Sequence, residues 1–426
     1  MKTLWLFFYN IFVVPFFYLY LKIGGLVNQK IRKGLSGRKR VFEELILNAL
    51  SIDKTKRLVW FHSSSLGEFE QAKPIIQSIK TNRDINILVT FFSPSGYENS
   101  RKYPYADLVS YLPFDSQSNA EKFMKIVHPD LAVLMRYDIW PNIIWAIEKY
   151  KIPTFLVDAT MKPKSLRKLP VIKSFHKFLF KGITRILSVS ESDAKGFKEF
   201  GCTDLQVKAV GDTRFDRVYE RSIKAKEKNL INEEIYRGKK IFVAGSIWEA
   251  DNENIFPAIN KLNKFDKDIL FIVVPHEPTL INLERIENEF SGFMNTVRFS
   301  HLNNYKDEPI IIVDSIGILL TLYTYADVAY VGGGFKQNVH NVLEAAVYGI
   351  PVLFGPKIDN SQEAKELANR GGGIIVNDKK NTYKSLRKLF ASEEMRQSKG
   401  KIAHQFVREN LGATQKILQE FYDVLR

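Results

Sequence analysis

The stretch Tyr330-Val331-Gly332-Gly333-Gly334-Phe335 is followed by His340-Asn341-Val342-Leu343-Glu344 and then by Gly349-Ile350-Pro351-Val352-Leu353-Phe354. The apolar ends predict two buried strands, and between them a glycine-rich turn leads into a helix that begins near Asn341. A glycine loop beside a helix N-terminus presents backbone N–H groups to an anion. The stretch therefore predicts an α/β unit with a phosphate site at one edge.

Similar apolar patterns recur along the chain and alternate with helical patterns. In the first half the predicted strands are Arg57–Phe61, Ile85–Thr90, Leu131–Met135, Thr154–Asp158, Arg185–Ser188 and Gln206–Val210. In the second half they are Lys240–Ala244, Ile269–Val274, Ile310–Val313, Val328–Val331, Pro351–Leu353 and Gly373–Val376. Alternation of this kind predicts α/β domains with parallel sheets wound on both faces.

The length of 426 residues suits two such domains, joined near the charged stretch Arg221–Lys240. We predict a membrane anchor with a basic segment over residues 1–40 and a first Rossmann-like domain over 41–220. A second Rossmann-like domain follows over 221–401, and one amphipathic helix over 402–426 can lie back on the first domain. Two such domains facing a cleft would bind ligands at the carboxyl ends of both sheets.

The N-terminal segment indicates membrane attachment. Residues 3–21 form a run of nineteen uncharged residues, close to the roughly 20 needed to cross a bilayer. Only Lys2 precedes the run, whereas seven basic residues follow it: Lys22, Lys30, Arg32, Lys33, Arg38, Lys39 and Arg40. This asymmetry places the body of the protein in the cytoplasm. A cleaved signal peptide is the alternative, but the run is long and aromatic and lacks a small-residue cleavage site. Pro15 leaves open whether the anchor spans the membrane or lies in its interface.

The composition narrows the class of partner. A net charge of +15 favours an anionic partner, and without a nucleic-acid recognition motif we expect a membrane surface or a phosphorylated substrate, not a nucleic acid. The single cysteine, Cys202, excludes an intramolecular disulfide and is expected to be structural. The seven histidines show no HxH or HExxH spacing, so we expect a reaction without a metal or other cofactor.

Two polar segments of the first half follow predicted strands. In His62-Ser63-Ser64-Ser65-Leu66-Gly67-Glu68, the carboxylate of Glu68 lies near a helix start and could accept a proton from an attacking hydroxyl. Its simpler role would be to complement the helix dipole. Asp138, in Arg136-Tyr137-Asp138, follows another strand and is a candidate acid at the same cleft, or only a turn cap.

Three segments of the second half are candidates for binding an activated, phosphate-containing donor substrate. Ser246 follows a strand and opens a helix, where it either holds a phosphate or acts as a helix N-cap. Pro275-His276 ends the next strand as a stiff loop. Beside the glycine loop around Gly333, Asn341 can donate a hydrogen bond, and Glu344 can accept the hydroxyls of a ribose, although simple helix capping would give the same pattern.

Together these motifs resemble the 3-deoxy-D-manno-octulosonic acid (Kdo) transferase family of lipopolysaccharide synthesis, which has the two-domain GT-B glycosyltransferase fold. The resemblance runs nearly from end to end. It includes the segment His62–Glu68, Ile139-Trp140-Pro141-Asn142, Ser190-Glu191-Ser192-Asp193 and Gly211-Asp212-Thr213-Arg214-Phe215-Asp216. It implies that Glu68 is the general base.

The resemblance also implies the positions that bind the donor nucleotide. These are Pro275 and His276, Ile316-Gly317-Ile318, and Asn341-Val342-Leu343-Glu344. The phosphate of the leaving CMP would be stabilised by the glycine loop, with Arg214 or His276 as a further cation.

Some positions depart from the family pattern. We expect an arginine at His276, a glutamate at Ile318 and an acidic residue at Arg136. Asp212 and Arg214 replace an expected asparagine and lysine, and Asp158-Ala159-Thr160 replaces Asn-Ala-Arg. Backbone contacts to the donor would survive these changes, whereas a specific phosphate salt bridge would not.

The resemblance implies an inverting, metal-independent transfer of Kdo from CMP-Kdo to a lipid A precursor, lipid IVA, at the cytoplasmic face of the anionic inner membrane. One alternative is a GT-B enzyme that uses a UDP-sugar, either a transferase or an epimerase, because such enzymes share the glycine loop and the ribose carboxylate. A second alternative is a membrane-attached relative that has lost catalysis, which the changes at Arg136, Thr160 and Ile318 suggest.

Overall fold

The computed structural model describes residues 2–425, and the chain divides into two compact units. Unit 1 is Met1–Arg217 together with Leu411–Arg426, and unit 2 is Val218–Asn410. Each unit contains one seven-stranded sheet in which all neighbouring strands are parallel. The predicted α/β architecture is confirmed.

The sheet of unit 1 has the strand order β3-β2-β1-β4-β5-β6-β7. Its strands are β1 (Leu58–Ser63), β2 (Asn86–Phe91), β3 (Leu108–Tyr111), β4 (Leu131–Met135), β5 (Thr154–Ala159), β6 (Arg185–Ser188) and β7 (Val207–Ala209). The order reverses between β1 and β4, so the segments that follow these two strands leave a crevice at the carboxyl edge. The short edge strand β3 was not predicted from the sequence.

The helices of unit 1 cover both faces of this sheet. They are α1 (Lys2–Phe8), α2 (Val14–Val27), α3 (Gln29–Gly37), α4 (Val41–Ala49), α5 (Leu66–Asn82), α6 (Pro94–Ser100), α7 (Gln117–Val127), α8 (Pro141–Lys149), α9 (Pro170–Lys181), α10 (Glu191–Lys198) and α20 (Ala413–Val424). A π-helical turn, Tyr9–Val13, joins α1 to α2, and a 3₁₀ turn lies at Leu166–Lys168.

Successive side chains of the strands pack into two separate hydrophobic cores, one on each face of the sheet. Trp60 and Leu134 point into the core on one face of the sheet, whereas Phe61 and Val133 point into the other. This alternation is the period of two that a strand imposes on its side chains. The C-terminal helix α20 supplies Phe421 to the second core, where its ring contacts that of Phe61.

The apolar N-terminal segment forms a hairpin of helices that packs on unit 1. Lys2–Val27 is a helical stretch of 26 residues that is long and apolar enough to cross a membrane. Asn28 ends α2 and caps α3 with its side chain, which accepts hydrogen bonds from two backbone N–H groups of the first turn. Gly25 lets Leu35 of α3 approach α2 closely, because a Cβ on Gly25 would lie 2.8 Å from Leu35 Cδ1.

The sheet of unit 2 has the strand order β10-β11-β9-β8-β12-β13-β14. Its strands are β8 (Lys240–Ile247), β9 (Ile269–Pro275), β10 (Thr296–Arg298), β11 (Ile310–Ile312), β12 (Val328–Val331), β13 (Val352–Phe354) and β14 (Gly373–Ile375). The order reverses between β8 and β12. The three-residue edge strand β10 was not predicted from the sequence.

The helices of unit 2 again flank the sheet. They are α12 (Glu233–Tyr236), α13 (Glu249–Phe265), α14 (Leu280–Phe290), α15 (Leu319–Leu322), α16 (Leu343–Ala346), α17 (Gln362–Arg370), α18 (Lys379–Ala391) and α19 (Glu393–Glu409), with 3₁₀ turns at Phe299–Asn304 and Tyr323–Tyr325. Helix α11 (Thr213–Lys226) contains the boundary between the units at residue 217.

The prediction of one continuous helix over residues 402–426 is wrong. Helix α19 ends at Glu409, and α20 begins at Ala413 after Gly412, which has a left-handed φ of 99°. Since glycine adopts positive φ at no steric cost, it ends one helix and starts the next in another direction. The apolar periodicity continues on both sides of the break, which hides it in the sequence.

The glycine run after β12 packs directly on neighbouring backbone. A Cβ on Gly332 would lie 2.2 Å from the Ser246 carbonyl oxygen, and a Cβ on Gly334 would lie 2.6 Å from the Gly355 nitrogen. Both glycines therefore serve the close approach of β8 and β13 to the loop after β12.

We expect Gly332→Ala to lower the free energy of unfolding of unit 2 by about 3 kcal/mol, because its methyl group would meet backbone atoms that cannot move aside. Gly292→Ala is the matched control, since no atom lies within 4 Å of a Cβ there. Denaturant unfolding followed by circular dichroism measures both. A wild-type transition for Gly332→Ala would show that the loop is not held as described.

Candidate active site

The crevice between β1 and β4 of unit 1 gathers three titratable side chains. His62 lies in β1, Glu68 lies in the first turn of α5 directly after β1, and Asp138 follows β4. His62 and Asp138 are buried, and Glu68 is half-buried. The two predicted catalytic residues of unit 1 therefore lie at the topological switch point of their sheet.

Glu68 caps its own helix and keeps one oxygen available. Its Oε2 accepts hydrogen bonds from the Ser65 N–H at 3.0 Å and from the Ser65 hydroxyl at 3.2 Å. Its Oε1 makes no hydrogen bond to any residue between 2 and 425. Burial raises the pKa of Glu68, and the charge of Asp138 raises it further. A carboxylate with a raised pKa is a better proton acceptor, as a general base requires.

Asp138 is paired with a buried histidine. His62 Nε2 lies 2.7 Å from Asp138 Oδ2, and His62 Nδ1 lies 2.8 Å from the Thr90 hydroxyl oxygen. Burial alone would raise the pKa of Asp138, but the charge of His62 and the polar groups around it outweigh burial and lower the pKa. Asp138 therefore stays ionised beside Glu68. No role was predicted for His62, although a histidine in an otherwise apolar strand indicates a buried polar contact.

A second polar cluster lies at the ends of β5 and of the loop before α11. Asp158, with a left-handed φ of 51°, accepts hydrogen bonds from the Thr213 N–H at 3.1 Å and from the Thr213 hydroxyl. Burial, with the nearby charge of Asp212, raises the pKa of Asp158 to about 7. Arg214 forms an ion pair with Asp212, with its Nη2 2.6 Å from Oδ2. Arg214 belongs to unit 1, and this pair occupies the guanidinium that we expected to bind the CMP phosphate.

In unit 2 a buried carboxylate organises the loops after β8 and β12. Asp251 is fully buried and accepts three hydrogen bonds, from the Trp248 N–H at 2.9 Å, the Gly333 N–H at 2.8 Å and the Tyr330 hydroxyl at 2.7 Å. Burial raises the pKa of Asp251, although these bonds oppose the rise. Sequence reasoning missed Asp251. The sequence does contain a sign of this role, because Asp251 lies three residues after Trp248, which is the spacing of a helix capping box.

The glycine loop has fewer free donors than expected. The Gly332 N–H donates to the Gly245 carbonyl at 2.9 Å, and the Gly333 N–H is taken by Asp251. In the described part of the chain, the N–H groups of Gly334 and Phe335 make no hydrogen bond. A phosphate at this loop would therefore bind Gly334 and Phe335, and the Gly333 N–H is not available to it.

Three aromatic rings form a plate at the same edge. The Trp248 Nε1–H donates to His340 Nε2 at 2.7 Å, and these two rings are nearly coplanar, with 18° between their planes. The exposed imidazole of His276 stacks over both, with centroid distances of 4.5 Å to Trp248 and 4.4 Å to His340. The plate contains His276, which was predicted to bind the donor, together with Trp248 and His340, for which no role was predicted.

The remaining predicted donor residues lie on exposed loops or short turns. Helix α16 is a single turn that begins at Leu343, two residues after Asn341. The Asn341 Oδ1 accepts the Leu343 N–H at 3.2 Å, while Val342 and Leu343 are buried. The Glu344 Oε1 lies 3.5 Å from Arg221 Nη1.

The other predicted donor-binding residues differ in side-chain exposure and in backbone conformation. Ile316 is 85% exposed, Gly317 has a φ of 84°, and Ile318 is the N-cap residue of α15. Ser246 has a left-handed φ of 52° at the end of β8. The helix N-cap there is Trp248, so the N-cap role considered for Ser246 is wrong. Pro275 lines a cavity of about 710 Å³ together with Trp248 and Phe335.

Comparison with known proteins shows which family the chain resembles. Residues 39–217 match the family described as 3-Deoxy-D-manno-octulosonic-acid transferase (kdotransferase). The 3-deoxy-D-manno-octulosonic acid transferase of Aquifex aeolicus is 29% identical over 345 residues, covering 80% of this chain and 88% of its own. The corresponding transferase of Rickettsia prowazekii is 27% identical over 404 residues, covering 89% and 82%. The chain is therefore similar to Kdo transferases along most of its length.

The fold of the protein is of GT-B type, as predicted. UDP-GlcNAc 2-epimerase from Neisseria meningitidis superposes with a TM-score of 0.61 at 14% identity, covering 86% of this chain and 100% of the epimerase. At that identity the likeness concerns the fold alone.

No three His, Cys, Asp or Glu side chains within residues 2–425 cluster so that they could hold a metal ion. Metal independence of the reaction stays a prediction. Cys202 is buried, and burial raises the pKa of its thiol to about 11, so the thiol is a poor nucleophile.

The plate of Trp248, His276 and His340 predicts a pH dependence of stability. Burial and the neighbouring His276 lower the pKa of His340 to about 4, from an ordinary value of 6.5. As the pH falls from about 6.5 to about 4, the unfolded chain binds this proton before the folded chain does, so stability is lost over that range. NMR titration should show the His340 ring titrating near pH 4.

His340→Gln should remove this part of the pH dependence from thermal unfolding measured between pH 4 and 7. Titration of the His340 ring above pH 6 would contradict the buried, hydrogen-bonded arrangement.

Proposed function

We propose that this protein moves Kdo from CMP-Kdo to a lipid A precursor, lipid IVA, by a single inverting displacement that needs no metal. The observation that carries the proposal is Glu68, whose free Oε1 and raised pKa lie at the switch point of unit 1 beside Asp138. The similarity to Kdo transferases supports the choice of sugar.

Glu68 acts as the general base. Its Oε1 accepts the proton of an acceptor hydroxyl while that oxygen bonds to the anomeric carbon of Kdo and the bond to the CMP phosphate oxygen breaks. The opposite approach of the two oxygens inverts the anomeric centre. Asp138 keeps Glu68 basic through its charge, and His62 holds Asp138 in its ionised form.

Unit 2 binds the nucleotide of the donor. The N–H groups of Gly334 and Phe335 and the Asn341 side-chain amide are donors without a partner among the described residues, and they can bind the phosphate. The carboxylate of Glu344 accepts the ribose hydroxyls. His276 supplies an imidazole where the family pattern leads us to expect an arginine. We assign no phosphate contact to Arg214, since Asp212 already pairs with it.

The N-terminal hairpin attaches the enzyme to the cytoplasmic face of the inner membrane, and its apolar helix lies in the interface. Tyr9 donates to Asp115 at 2.8 Å, and Asn10 and Asn142 exchange two amide hydrogen bonds at 2.9 and 3.0 Å. A helix held to unit 1 at its centre cannot also cross roughly 30 Å of hydrocarbon while unit 1 stays in water.

The outward side of this helix is a surface of exposed apolar side chains. They are Leu4, Phe7, Phe8, Ile11, Phe12, Phe16, Leu19, Tyr20, Ile23, Leu26 and Val27. Exposed basic residues follow directly, and they are suited to anionic lipid headgroups: Lys30, Arg32, Lys33, Lys39 and Arg40. This combination is typical of a helix that lies in the membrane plane.

Glu68→Gln should lower kcat by at least about 100-fold and leave CMP binding unchanged. Glutamine can still cap α5 through the Ser65 N–H, but it cannot take a proton. In the wild type, the rate should rise with pH as Glu68 loses its proton. Transfer of radiolabelled Kdo measures the rate.

Glu70→Gln is the matched control, since Glu70 lies in the same helix and pairs with Lys73 and Arg217. Near-normal turnover of Glu68→Gln would disprove the base assignment, whereas equal losses in both variants would point to damage of α5.

Glu344→Gln should weaken CMP binding by about 10-fold, because a charged acceptor of the ribose hydroxyls is lost. Glu366→Gln is the control, since it also removes a Glu–Arg ion pair of unit 2, with Arg370 at 2.7 Å. Isothermal titration with CMP and UDP measures the affinities. Unchanged CMP affinity would remove the ribose role, and tighter binding of UDP than of CMP would favour the UDP-sugar alternative.

A further inference from the structure

An apolar cavity of about 170 Å³ lies in unit 1 between the N-terminal hairpin and the carboxyl edge of the sheet. One wall comes from the hairpin and the other from the segment after β2 together with Phe114. The lining residues are Leu21, Lys30, Ile31, Gly34, Leu35, Arg38, Phe92, Ser93, Pro94 and Phe114. An apolar cavity of about 150 Å³ takes up benzene, so this one holds about six carbon atoms.

A buried cation without a counter-ion borders the cavity. The Arg38 side chain is 7% exposed, and its guanidinium carbon lies 4.4 Å from the centroid of Phe92 and 5.2 Å from that of Phe114. Its hydrogen bonds go to the carbonyl oxygens of Leu112, Gly34 and Phe92. In residues 2–425, no carboxylate forms an ion pair with Arg38. Two of its five N–H groups remain for an anion.

The cavity adjoins the proposed catalytic residues. The Ser93 N–H donates to the Ser64 carbonyl oxygen at 2.7 Å, four residues before Glu68. The ring of Phe92 stacks on Trp140 at 4.6 Å, two residues after Asp138. A molecule in the cavity would therefore extend towards the switch point where Glu68 lies.

We propose that this cavity binds one acyl chain of the acceptor lipid, with Arg38 and Lys30 facing a phosphate of the same molecule. The inference rests on the proposed function and deepens it, because it makes acylation of the acceptor a determinant of recognition. Leu21 of the cavity wall belongs to α2, whose side chains Phe16, Leu19 and Ile23 are exposed, so the cavity borders the helix that we propose to lie in the membrane.

The kinetic test uses a cavity-filling variant, Ile31→Phe, and two acceptors, a phosphorylated glucosamine disaccharide with its acyl chains and the same disaccharide without them. The wild type should prefer the acylated acceptor in kcat/KM, and Ile31→Phe should reduce that preference about 10-fold. Ile46→Phe, on exposed α4 of the same unit, should keep it. Equal use of both acceptors by the wild type, or an unchanged preference in Ile31→Phe, would overturn the proposal.

A second test does not depend on transfer. The full chain in detergent is irradiated with the acylated disaccharide carrying a diazirine on one acyl chain, and the adducts are located by mass spectrometry. Adducts on residues 30–38, 92–94 or 114 support the cavity. Adducts found only on the outward side of residues 4–27 overturn it. Adducts in the cavity together with no Kdo transfer by the wild type would refute the proposed function and leave the lipid site standing.

Discussion

Both candidate sites depend on one constraint, the reversal of strand order in a parallel sheet. At β1/β4 and at β8/β12, neighbouring strands send their following segments to opposite faces, so a crevice remains at the carboxyl edge. Backbone N–H groups and short polar side chains line such an edge because no further strand covers it. In unit 2 the buried carboxylate of Asp251 stabilises the carboxyl edge of the sheet, because it accepts hydrogen bonds from the segments that follow both β8 and β12.

The polar groups of the two edges are built for different tasks. In unit 1 the two carboxyl groups have pKa values that are shifted in opposite directions. His62 lowers the pKa of Asp138 and keeps it ionised, whereas burial and the charge of Asp138 raise the pKa of Glu68. In unit 2 the edge is aromatic and rich in backbone donors, with a plate of Trp248, His276 and His340. The base proposed in one unit and the nucleotide site proposed in the other would match the two halves of a glycosyl transfer.

Much of this could be predicted from the sequence, because apolar runs and turn residues report local structure directly. Twelve of the strands carry a run of apolar residues that revealed them, whereas β3 and β10 are short edge strands with weak patterns. The positions of Glu68 and Asp138 after strands also followed from local pattern. The hydrogen-bond partners did not, because they are distant in the chain. Nothing local shows that Asp251 occupies the Gly333 N–H, that Asp212 holds Arg214, or that Asn142 pairs with Asn10.

The central claim is that this protein is an active Kdo transferase that uses CMP-Kdo and a phosphorylated, acylated acceptor. Its most direct test is mass spectrometry of the products after the purified full-length protein is incubated with CMP-Kdo and lipid IVA in detergent, with a chelator present. We expect lipid IVA carrying added Kdo, one CMP released for each Kdo transferred, and a count of added Kdo residues that the spectrum will reveal. Unchanged lipid IVA, while the protein still binds CMP, would contradict the claim and identify a binding protein that has lost catalysis.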